Sequence, residues 1–231
     1  IYFKFDNMIT EEQQQRLQDL KKVFLEENQK LNLSALRDED AIWIGNISDS
    51  LVALDLEIFH APDIKILDVG TGGGFPLLPL AICLPDTQFV GLDSTKKKLD
   101  AVSRMTDALG IENVRMLAGR CEEKGRDQQH RNQYDIVTAR AVAPLNILLE
   151  YAAPFVKPGG HFIAWKSMKV DTELEESLLA RAELSCHLNQ QYEYELPGDW
   201  GKRQLLVFEK TSTTSGKYPR EIGIPKLHPL L

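Results

Sequence analysis

The sequence predicts an α/β protein of Rossmann-like architecture: a mostly parallel seven-stranded sheet with one antiparallel strand, preceded by an N-terminal helical extension. Three observations carry this. Short β-rich runs alternate with helical ones from Asp63 onward, a glycine-rich loop follows the first of those runs, and two late strand-like runs are joined by a Pro/Gly turn. Strand–helix alternation of this length makes βαβ units, whose crossover helices cover both faces of a parallel sheet.

Residues 10–30 read as the first helix. Leu17, Leu20, Phe24 and Leu31 recur at helical spacing, and Thr10 with Gln13 has the form of a capping box. A second helix is expected over 39–57, with Ile42, Ile47, Leu51 and Leu54 inward. Residues 1–60 thus form a helical extension to the main domain, 61–231, rather than an independent unit. In that domain IKILDV (64–69), QFVGLD (88–93), NVRML (113–117), YDIVTA (134–139) and HFIAW (161–165) are the expected strands. Helices are expected over 76–84, 95–109, 144–151 and 171–183. QQYEYEL and RQLLVFE, joined by PGDWGK, read as an antiparallel hairpin closing one sheet edge. TSTTSG (211–216) reads as a flexible surface loop.

Composition bounds the function. The chain has 231 residues, enough for one large domain with a sizeable core. No segment approaches the ~18 apolar residues of a membrane span, and the most apolar stretch, 75–84, is broken by Pro76 and Pro79. Residues 1–7 lack the basic start and small-residue cleavage site of a secretory signal, and with no Met at position 1 the chain reads as trimmed. A cytoplasmic monomer without membrane contact is expected. Cys83, Cys121 and Cys186 form no CxxC pair and the five histidines no ligand-like cluster, so reduced thiols are expected and no metal. The net charge of −7 argues against a general nucleic-acid coat. From Leu196 onward, however, six basic residues face three acidic ones, which leaves room for a local basic face.

The sharpest motif is LDVGTGGGFP (67–76), in which a strand runs into Gly70, Gly72, Gly73 and Gly74 before a helix begins. Such glycines let the backbone turn tightly beside a ligand, at the sheet edge where open α/β sheets bind. A dinucleotide fingerprint needs glycine at 75 or 77, where Phe and Leu stand, and no Gly-Lys-Ser/Thr of a Walker loop follows. The spacing G-x-G-x-G is instead the usual loop of S-adenosylmethionine enzymes. Asp93 ends the second strand, near the ~20-residue interval expected for an acid that accepts from ribose hydroxyls.

Together with LNLSAL (31–36), SDSL (48–51), LDSTKKK (92–98), GRCEE (119–123), TARAVAPL (138–145), KPGG (157–160), WK (165–166), YPR (218–220) and GIP (223–225), this loop resembles the RsmG (GidB) family. These are guanine-N7 methyltransferases of bacterial small-subunit ribosomal RNA, and the resemblance covers roughly residues 31–231. It implies an S-adenosylmethionine-dependent methyltransferase fold. It also implies cofactor contacts from Gly70, Phe75, Cys121, Glu122 and Arg140, which join Gly72, Gly74 and Asp93 of the loop and second strand. The partner it implies is small-subunit ribosomal RNA or the small subunit itself. The sequence departs from the family at Asn46 (usually His), Leu77 (Gly), Cys121 (Ala) and Ser167 (Gly).

Guanine N7 carries a lone pair and no proton, so its methylation needs no general base, and no nucleophile–base pair is evident. No catalytic side chain is therefore assigned. Arg140, Lys166, Arg203 and Arg220 are the candidates to hold RNA phosphate or guanine O6. Trp43, Trp165 and Trp200 are candidates for base stacking, weighed against ordinary core roles. Two other classes stay open at this stage: a methyltransferase for a small molecule or protein, and a non-catalytic or NAD-linked ligand-binding domain.

Overall fold

The computed structural model describes residues 9–231, so the reading of residues 1–7 lies outside it. The first helix, α1 (Glu11–Leu31), opens on the expected capping box. Thr10 and Gln13 exchange side-chain and backbone hydrogen bonds, and Asn32 ends the helix in the left-handed conformation. The second predicted helix is helical over most of its length but not uniform, and it breaks at extended Leu56. It runs as α2 (Glu39–Ile42), a π-helical turn over Trp43–Ser48, α3 (Asp49–Leu51) and 3₁₀ turns over Val52–Asp55 and Glu57–His60. Apolar spacing marks which side of such a segment is buried and does not distinguish one helical winding from another.

The sheet strands are β1 (Lys65–Val69), β2 (Gln88–Asp93), β3 (Val114–Ala118), β4 (Tyr134–Arg140), β5 (Val156–Ser167), β6 (Cys186–Leu196) and β7 (Gly201–Lys210). Their order is β3-β2-β1-β4-β5-β7-β6. Only β7 runs antiparallel to its neighbours, inserted between β5 and β6. The connecting helices are α4 (Leu77–Cys83), α5 (Lys96–Leu109), α6 (Cys121–Lys124), α7 (Leu145–Ala152), α8 (Asp171–Glu176) and α9 (Leu178–Glu183), with a last turn α10 (Ile224–Leu227). The helix expected over 171–183 is broken at buried Ser177, whose hydroxyl bonds back to the Leu174 carbonyl instead of leaving the helical ladder undisturbed.

Period-two alternation sorts the strand side chains onto two apolar faces. Ile66, Phe89, Ile136, Ile163, Trp165, Leu205 and Val207 pack with α1, α4, α5 and the turns before β1. Leu67, Val69, Leu92, Val137, Phe162, Leu206 and Phe208 pack with α7, α9 and Tyr218 of the C-terminal segment. The described residues up to His60 therefore share one core with the sheet. TSTTSG is less free than its composition suggests. Thr214 is buried and donates to the Ala153 carbonyl, and Arg131 holds the carbonyls of Thr214, Ser215 and Tyr218. No helix among the described residues is long and apolar enough to cross a membrane.

Candidate functional site

At the C-terminal ends of β1, β2 and β4 lies a cleft of about 610 Å³, within the range of small-molecule sites. Its floor is the loop after β1. The Leu92 carbonyl accepts from both Gly70 and Thr71 N–H, and Gly74 N–H closes the turn onto the Thr71 carbonyl. Gly70 is held at φ +70, and a Cβ there would stand 2.6 Å from the Val142 side chain. No L side chain fits both constraints cheaply. Val142 reaches that place because Ala141, directly after Arg140, itself adopts a left-handed φ of 55°.

Asp93, at the end of β2, accepts Gly72 N–H at 3.0 Å and Thr95 N–H at 2.8 Å. Phe75 is buried, packed edge-on against Phe24 of α1 with centroids 4.8 Å apart. Cys121 and Glu122 come from the start of α6. Burial pushes the Cys121 thiol up to about 12, so it sits there as a small apolar wall rather than a nucleophile. Glu122 is buried and accepts Gly223 N–H at 3.1 Å, which ties the cleft to the C-terminal turn.

Arg140 ends β4 and lines the same cleft. Its Nη1 donates to Asp49 Oδ2 at 2.9 Å and to the Gly45 carbonyl at 3.0 Å; its Nη2 donates to Asn46 Oδ1 at 3.1 Å. The carbonyl is available because the π-helical turn takes Gly45 out of regular α-helical winding. The Arg140 guanidinium also lies 5.7 Å from the Phe75 ring centroid. Arg203 of β7 stands at the mouth over the Trp200 ring, with its Nη1 3.6 Å from Asp49.

Of the residues expected from the sequence, Gly70, Gly72, Phe75, Asp93, Cys121, Glu122, Arg140 and Arg203 line this one cleft. Gly74 shapes it from behind at φ +90, against Leu78. Lys166 and Arg220 do not line it. Lys166 is paired with Glu173 at 2.6 Å and with the Ala143 carbonyl. Arg220 grips buried Glu150 through Nε and Nη2, at 3.0 and 2.6 Å. Asp49, which enters the sequence reading only within SDSL and with no role of its own, is fully buried beside Arg140. Its signal was its place among the inward residues Ile47 and Leu51.

The family model described as "rRNA small subunit methyltransferase G" (GidB) matches residues 13–204. The chain is 39% identical to the protein of that description from Staphylococcus carnosus (strain TM300), covering 98% of this chain and 94% of that protein. It is 36% identical to the one from Exiguobacterium sibiricum, covering 96% and 93%. Among solved structures, an O-methyltransferase family protein from Burkholderia thailandensis shares the fold with a TM-score of 0.56 at 14% identity, over 75% of this chain and 58% of that one. A SAM-dependent methyltransferase from Aquifex aeolicus does so with a TM-score of 0.55 at 18% identity, over 76% and 96%.

Proposed function

The chain belongs to the rRNA small subunit methyltransferase G family, and from that premise we propose that it methylates N7 of a guanine in small-subunit ribosomal RNA. It is an S-adenosylmethionine-dependent methyltransferase, and its residues fit that cofactor. A carboxylate has about four lone-pair sites, of which Asp93 spends two on backbone N–H groups, leaving acceptors for a pair of ribose hydroxyls. The loop backbone at Gly70 leaves no room for a side chain, and the cleft has the capacity for a nucleoside with its amino-acid tail. When bound, S-adenosylmethionine supplies an electrophilic methyl group on a sulfonium.

The observation that carries this reading is that the glycine loop, Asp93, Arg140 and Arg203 all line a single cleft. N7 needs no proton removed, so the work of the chain is alignment and exclusion of water. In this reading the loop backbone and Asp93 hold the nucleoside end, while Phe75, Cys121 and Glu122 wall it. Arg140 stands between cofactor and substrate, and Trp200 with Arg203 receives the guanine and its phosphates at the mouth. Four cationic side chains, Lys98, Arg120, Arg140 and Arg203, line the cleft against three carboxylates, Asp49, Asp93 and Glu122. The site thus reverses the sign of a chain whose net charge is −7, as an RNA substrate requires. Such a substrate places the reaction in the cytoplasm.

Radiolabelled S-adenosylmethionine offered with small ribosomal subunits, free ribosomal RNA, bulk protein and a metabolite mixture tests the proposal. Label should enter the subunit or its RNA and, after digestion to nucleosides, migrate with 7-methylguanosine. Label in protein, in a metabolite or in another methylnucleoside contradicts it.

A further inference from the structure

Asp49 is fully buried, yet four strands meet at it, three of them at its carboxylate. Oδ2 accepts from Arg140 of β4 at 2.9 Å and lies 3.6 Å from Arg203 of β7; Oδ1 accepts from the Tyr194 hydroxyl of β6 at 2.6 Å. Its backbone carbonyl accepts from the Trp165 indole N–H of β5 at 2.8 Å. A carboxylate held this way cannot turn. Burial and the neighbouring Asp49 charge hold the Tyr194 phenol well above its ordinary range, so it remains a donor.

Arginine has five N–H donors in a planar fork. Arg140 spends its Nη1 group on Asp49 and Gly45 and one Nη2 hydrogen on Asn46. Among the described residues, its Nε–H and second Nη2–H have no protein acceptor, and Nε is not a buried orphan. These two donors share one edge of the fork, the same edge by which Arg220 grips the carboxylate of Glu150 in this protein. Arg140 therefore offers the cleft a free two-pronged edge, and what sets its direction is the buried partner on the other side.

We propose that Asp49 is the positioning residue of the site, a buried carboxylate that orients Arg140 so that its Nε–Nη2 edge meets a pair of anionic oxygens. A cofactor carboxylate and an RNA phosphate share that chemistry. The proposal rests on the family reading only for which ligands enter the cleft. Asn46 takes part by accepting from Nη2.

The test is a double-mutant cycle of parent, Asp49→Asn, Arg140→Ala and both, with folding followed by circular dichroism and Tm. Each is read in two ways: calorimetric affinity for S-adenosylmethionine, and kcat/KM for methyl transfer to small-subunit RNA. Asparagine keeps the shape and loses the charge, so Asp49→Asn should lose about tenfold in one readout, and the double variant should match Arg140→Ala within about twofold. Coupling in calorimetry identifies the cofactor carboxylate as the partner; coupling confined to RNA kinetics identifies phosphate. Additive losses, or an Asp49→Asn protein equal to the parent in both readouts, overturn the proposal, because a merely structural acid would act independently of Arg140. If Asp49→Asn does not fold, Tyr194→Phe frees the other oxygen and runs the same cycle, with a smaller loss that must vanish in Arg140→Ala. A parent inactive on RNA counts against the functional reading, while the calorimetric cycle still decides the role of Asp49.

Discussion

Both oxygens of Asp93 accept backbone N–H groups, so this side chain ties the loop after β1 at Gly72 to the turn after β2 at Thr95 while keeping lone pairs for a ligand. Asp93→Ala should therefore cost about 1–3 kcal/mol of S-adenosylmethionine affinity by calorimetry. Unchanged affinity would remove Asp93 from the site. Asp68, one strand away, behaves oppositely to most carboxylates. It is buried with one oxygen bonded to the Thr138 hydroxyl and the other unpartnered, and burial raises it from 3.8 to about 7. The folded chain then holds a proton that the unfolded chain has released, so this residue makes stability fall as pH rises from about 4 to about 7 and adds no slope above that. Asp68→Asn should match the parent near pH 4 and exceed it in denaturant midpoint by a growing margin up to pH 7; a constant difference across that range would contradict the assignment. Arg220, expected from the sequence to meet RNA, is committed to Glu150. Arg220→Ala strands a buried carboxylate and should cost about 3 kcal/mol in urea unfolding, where a surface RNA contact would cost almost nothing.

At the scale of elements, α1 braces the cleft without lining it at Phe24. That ring is fully buried against Phe75, so Phe24→Ala should lose about 3–5 kcal/mol of stability and weaken cofactor binding together, measured by denaturation and calorimetry. Loss of stability with cofactor affinity unchanged would show that Phe75 does not need its brace. The strands, the glycine loop and Asp93 were legible because each is a local pattern: alternation, turn chemistry and a fixed interval. The winding of 39–57 was not legible, since the Gly45 carbonyl is freed by a π-helical turn that apolar spacing does not encode. Nor was the fate of Lys166 and Arg220. Their partners, Glu173 and Glu150, are set by how α8 and α7 pack, and sequence charge alone does not tell a buried ion pair from an exposed cation.

Over the whole molecule, two apolar layers on one sheet leave function to a single sheet edge, where loops after β1, β2, β3 and β4 converge with the turn between β6 and β7. The family resemblance was legible because several of its motifs, the glycine loop, LDSTKKK, GRCEE and TARAVAPL, supply residues of that edge; Asp49 lies in one of them, SDSL, but its partnership with Arg140 exists only in three dimensions. A net acidic chain with a locally cationic cleft should recognise RNA through a few contacts at this edge rather than by a broad basic face. The central claim, methylation of N7, leaves a chemical mark, because a 7-methylguanosine is cationic, depurinates readily and then permits strand cleavage by aniline. The most direct measurement is that cleavage in small-subunit RNA from cells lacking the protein, before and after incubating their subunits with the protein and S-adenosylmethionine. Cleavage at one guanine should be absent before and present after; an identical pattern in both would contradict the account.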